Sequence, residues 1–297
     1  MALHSQPLAE PQFRSGFIAN LVRQHPISAF FVLTYVLGWG MVTPRVLFSL
    51  GLLSFNVPNW WIAVSFYAPC VAAFYLQWVT ERNLRVCRFY ESWRKLMLGL
   101  LVGIFFVLVC NPVVASLFGA SGPLHTLNWR AFFSLASYHL YLSEFLAPIG
   151  EEIGWRGYAL PRLQRQFGPV RASLFIGLMW AGFMLPALSL VQIWPISGVL
   201  MYAIALIALS VEMTFAMNLS GFSIIVVIVM HALASTQSAV LAHALIAGAH
   251  LRPHWEWISS VSNLLVPALL VLATWGGLGA SIGRTRPGSH PISPSLS

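Results

Sequence analysis

Apolar blocks long enough to cross a bilayer recur along almost the whole chain, from residue 27 to residue 280. A spanning helix needs about 20 such residues, since each advances about 1.5 Å through a hydrocarbon layer of about 30 Å. Only 8% of the residues are charged, against roughly 25% in soluble domains, and aspartate is absent. Counting the blocks predicts eight spans, at about 27–52, 59–79, 96–118, 130–150, 172–190, 196–217, 222–246 and 258–280. The expected fold is all-α, a polytopic membrane bundle of about eight transmembrane helices. Pro148, Pro186 and Pro195 punctuate the fourth to sixth blocks. A membrane β-barrel would instead alternate in segments of about ten residues, and these blocks do not alternate.

Three regions follow from this pattern. Residues 1–25 form a polar segment with Pro7, Pro11, Arg14 and Arg23 and no early apolar run, so no secretory leader is expected. Residues 26–283 form a single transmembrane domain, and 284–297 a polar tail. The net charge of +8 is concentrated between spans two and three (Arg82, Arg85, Arg88, Arg94, Lys95) and between spans four and five (Arg156, Arg162, Arg165, Arg171). Basic loops on one side of an even number of spans place both termini in the cytoplasm. The expected location is the plasma membrane of a prokaryote. Cations dispersed among spans face lipid headgroups rather than nucleic acid. Cys70, Cys87 and Cys110 form no CxxC pair and indicate neither a disulfide framework nor a thiolate metal site.

Against this background the ionisable groups within or beside spans stand out, because a charge at bilayer depth costs about 2.5–3.5 kcal/mol and is commonly tied to function or a buried partner. They include His139, Glu144, Glu151, Glu152, Arg156, Glu212, His231 and His243. Glu151, Glu152 and Arg156 fall together in "EFLAPIGEEIGWRGYALPRL". On a helix Glu152 and Arg156 share one face, while Glu151 is turned about 100° away. One acid is then neutralised by the arginine and the other is left to act as a general base on water. The same segment also fits an interfacial helix whose ion pair marks the membrane boundary.

Span seven, "FSIIVVIVMHALASTQSAVLAHAL", buries His231 after an apolar run, with Ser235 one turn on. A histidine there expects a partner, whether a catalytic one or a neighbouring carbonyl or hydroxyl. His243 lies about 18 Å farther along the axis and cannot share a compact site with His231. Glu212, in span six, either pairs with an arginine or histidine of another span or belongs to the same cavity.

The stretches "EEIGWRGYALPRLQRQFGPVRASLFIGLMWAGFMLPAL" and "NLSGFSIIVVIVMHALAS" resemble the CPBP family, the type II CAAX prenyl proteases and bacteriocin-processing (ABI) membrane proteins. The likeness covers a core of about 144–240. It implies an intramembrane endopeptidase in which Glu151 is the general base, Glu152 supports it, Arg156 holds the cluster and His231 orients water or stabilises the oxyanion. Its implied partners are membrane lipid and a hydrophobic or lipid-modified peptide or protein; no nucleic acid is implied.

Two positions depart from the family pattern. Met184, in "WAGFMLP", stands where the family has a histidine, and a thioether transfers no proton. Ser235 stands where the family has asparagine, and it keeps a hydroxyl. A hydrolytic zinc site uses three protein ligands and an open position. Zinc would have only Glu151, Glu152 and His231 here, and only if Glu152 left Arg156. The sequence thus supports a protease with a reduced catalytic set, and, as the alternative, a non-catalytic member that keeps the cavity for binding, immunity or scaffolding.

Overall fold

In the computed structural model, residues 17–115, 117, 146–191, 196–246, 261 and 263–280 are described, and among them every regular element is helical. The order is α1 (Phe17–Gln24), α2 (Pro26–Ser49), α3 (Asn59–Ser65), α4 (Ala68–Glu81) and α5 (Trp93–Phe105). A π-helical turn, Phe106–Cys110, joins α5 to α6 (Asn111–Ala115). Residues 146–152 are helical and run into a second π-helical segment, Ile153–Ala159, and then α7 (Leu160–Phe167). The remainder is α8 (Pro169–Val191), α9 (Ile196–Leu219), α10 (Ile224–Ile246) and α11 (Leu265–Ala273).

Local chemistry sets several of these boundaries. Pro26 and Pro169 open α2 and α8, where a missing N–H costs nothing because the first turn has no acceptor for it. The Ser92 side chain caps α5 by accepting from the Lys95 N–H at 3.3 Å. Arg82, left-handed at φ 55°, ends α4.

Among the described residues, four helices are long and apolar enough to cross a membrane: Pro26–Ser49, Trp93–Val114, Pro169–Leu190 and Ile196–Leu219. The pair α3 and α4, bent by 42° at its break, makes a fifth if taken as one span. The helical membrane class holds, and the described residues account for four or five of the eight expected spans. Most of the fourth predicted span lies outside the described residues, and the fully described helix of the eighth is the nine-residue α11. The apolar part of α10 with described side chains, Ile224–Thr236, is shorter than a full span. The chain is an integral membrane protein of helical type.

The core gathers around the second π-helical segment. Phe30 and Phe31 of α2 pack on Trp155 with ring centroids 5.6 and 5.9 Å away, and Phe183 of α8 closes the group at 5.6 Å. From α2, the Tyr35 hydroxyl and the Trp39 indole N–H donate to the carbonyls of Met179 and Phe183, at 2.5 and 3.1 Å. Those bonds fix the turn of α8 that carries Trp180. At one end of the bundle, the loop between α4 and α5 forms a parallel bridge, Arg88 with Ser223. The Ile224 N–H donates to the Arg88 carbonyl at 2.9 Å, and the Ser223 hydroxyl to that of Phe89. Val86 and Cys87 of the same loop lie against Gly157. One loop thereby straps the π-helical segment to the start of α10.

Candidate active site

The acid-bearing segment reaches the core because its small residues permit close backbone approach. A Cβ on Gly150 would lie 2.8 Å from the Phe66 carbonyl oxygen, and one on Gly154 would lie 2.4–2.6 Å from Pro69 atoms. The segment therefore sits directly on the break between α3 and α4. Immediately after Glu152 the helix widens, and the Leu160 N–H donates five residues back, to the Trp155 carbonyl. Such π-turns are rare and frequent at functional sites.

Glu151, Glu152, Arg156 and His231 are all buried. Arg156 Nη1 donates to Glu152 Oε1 at 2.9 Å, so the four-residue spacing pairs them even through the wider helix. His231, from α10 and 79 residues away, places Nδ1 2.8 Å from the same oxygen. With Glu152 ionised, that contact selects the Nδ1–H tautomer and leaves Nε2 free to exchange a proton. Glu151 faces another way, accepting from the Trp180 indole N–H at 2.5 Å. The Trp180 ring packs edge-on to His231, with centroids 4.6 Å apart, and Arg156 Cζ lies 4.6 Å from the same ring. Trp180 thus connects the two acids, the guanidinium and the imidazole into one cluster.

The sequence reading overlooked Trp180 as a functional contact, although it opens the "WAGFMLP" stretch; a tryptophan in an apolar block does not advertise what its N–H reaches. Met184, one turn farther along α8, is partly buried against the core. Ser235, one turn beyond His231, is partly buried. His139 and Glu144 lie outside the described residues, and so does the side chain of His243. Glu212 lies buried in α9. It accepts from the Asn111 amide at 3.0 Å and makes no hydrogen bond or ion pair to the Glu151 cluster among the described residues.

Zinc does not fit this donor set. Glu152 Oε1 already serves Arg156 and His231 Nδ1, Glu151 is held by an N–H, and Met184 offers no imidazole. Among the described residues no three His, Cys, Asp or Glu side chains converge in a metal-ligating group.

Comparison with known families places a match at residues 133–237, to type II CAAX prenyl endopeptidases described as Rce1-like. The likeness is confined to that stretch of the 297-residue chain. That segment contains every member of the cluster, together with Met184, Glu212 and Ser235. No curated protein matches the chain.

Proposed function

We propose that the Rce1-like core is the catalytic part of an intramembrane endopeptidase acting on hydrophobic or lipid-modified peptides. The observation that carries this reading is the single oxygen of Glu152 shared by Arg156 and His231, with Trp180 tying Glu151 to the same cluster. An ion pair that merely marked a membrane boundary would not recruit an imidazole from a distant helix. Glu151, whose partner is a neutral N–H, takes a proton from water as the resulting hydroxide attacks the scissile carbonyl. His231, held by Glu152 through Nδ1–H, accepts from the attacking water at Nε2 and orients it. Glu151 then returns its proton to the departing amine as the C–N bond breaks, giving one carboxyl and one amine terminus. Arg156 and Glu152 fix the imidazole and do not exchange protons.

The test is turnover of a prenylated CAAX peptide by the purified protein in bilayers. Glu151→Gln and His231→Ala should each lower turnover by roughly two to four orders of magnitude while the protein remains folded. Unchanged turnover in both would remove the hydrolytic reading.

A second reading rests on Met184. A thioether in place of a proton-transferring group suits a cavity that binds a lipid-modified chain without cutting it. Met184→His separates the two: increased hydrolysis means a site working with one group fewer, whereas a folded variant that gains none favours binding alone.

A further inference from the structure

The loop between α4 and α5 is a strap by its backbone and an amphipathic surface by its side chains. Leu84, Phe89 and Tyr90 are 58%, 65% and 60% exposed, and Trp93, opening α5, is 67% exposed. Arg82, Arg85, Arg88, Arg94 and Lys95 are interleaved with them, all exposed. Two of these cations are satisfied locally. Lys95 Nζ lies 2.7 Å from one oxygen of Glu91, and Arg88 Nη1 3.5 Å from the other. The Lys95 hydrogen bond also holds the Glu91 carboxyl below its ordinary pKa. Arg82, Arg85 and Arg94 have no carboxylate within ion-pair distance among the described residues.

The loop joins the ends of two membrane-crossing segments, α3–α4 and α5–α6, so chain connectivity sets it at a bilayer surface. Exposed aromatic rings beside uncompensated arginines at that depth match the region where headgroups meet acyl chains. We infer that residues 82–95 form a docking surface for anionic lipid headgroups, and that occupancy tightens the strap between the π-helical segment and α10. The inference does not depend on peptide hydrolysis. An acidic soluble partner would account for the three arginines but not for four exposed apolar side chains at the ends of spans.

Hydrogen exchange on the full-length protein in phosphatidylcholine nanodiscs, with a rising fraction of phosphatidylglycerol, reads this directly. The Ile224 amide, which donates to the Arg88 carbonyl, should become progressively protected. Arg85→Gln should raise the phosphatidylglycerol fraction needed for half-maximal protection by about fivefold, the attraction expected of one surface arginine. The triple variant R82Q/R85Q/R94Q should lose the response while exchanging like the wild type in phosphatidylcholine alone. No response in the wild type, or a wild-type response in the triple variant, overturns the assignment. So does a triple variant already deprotected without anionic lipid, because the arginines would then hold the loop themselves. Equal protection by soluble polyglutamate would transfer the surface to an acidic protein partner and end the lipid assignment.

Discussion

Trp180 has two separable functions at the site, since its N–H holds Glu151 and its ring packs on His231 and Arg156. Trp180→Phe keeps an aromatic face and deletes only the donor. A hydrogen bond to a charged group contributes about 1.5–3 kcal/mol, so the proposed hydrolysis should fall roughly 10- to 100-fold, with thermal unfolding shifted far less. Loss of fold and activity together would make the indole a packing residue only. The pairing of Glu152 with Arg156 was readable from sequence because partners four residues apart meet on a helix whatever surrounds it. The indole contact was not, because only tertiary packing determines which acid a distant N–H meets. Glu212 teaches the same lesson: its partner is the amide of Asn111, a residue no charge-based search would select.

Among the elements, the long apolar helices were legible because hydropathy over about 20 residues reports the surrounding solvent directly. The π-helical segments were not, because inserting one residue into a helix leaves no compositional trace. Pro148 and Gly150 signalled a special backbone there without revealing its form. The close approach of Gly154 to Pro69 gives a further measurable consequence. A methyl group would meet backbone atoms and a proline ring rather than a yielding side-chain end. Gly154→Ala should therefore destabilise the folded protein by about 1–3 kcal/mol, as overpacked cores do. Denaturation in a mild detergent measures it, and an unchanged midpoint would mean that the α3–α4 break relaxes readily.

At the scale of the whole molecule, the absence of a converging metal-ligand set among the described residues makes a prediction about inhibitors. If the Glu151 and His231 chemistry operates, hydrolysis should persist after exhaustive chelation, and elemental analysis of active protein should find well below one zinc per chain. Activity abolished by chelation and restored by zinc would require Glu152 to leave Arg156, rearranging the cluster described above. The eight-span expectation was the coarsest reading of the sequence: four or five spans are found among the described residues, and most of the fourth expected span lies outside them. Hydropathy located apolar blocks, but a bend of 42° and a nine-residue helix are decided by packing rather than by composition.

The shared oxygen of Glu152 has a consequence for how this protein tolerates genetic change. Arg156 and His231 draw on one acceptor, so a substitution at either alters the setting in which the other is tested. Arg156→Met and His231→Ala should show epistasis, with the double variant losing less folding free energy than the two single losses added together. Additive losses in such a cycle would mean that the two contacts are energetically independent. Under epistasis, a lineage that has lost one of the pair is under weaker constraint to keep the other.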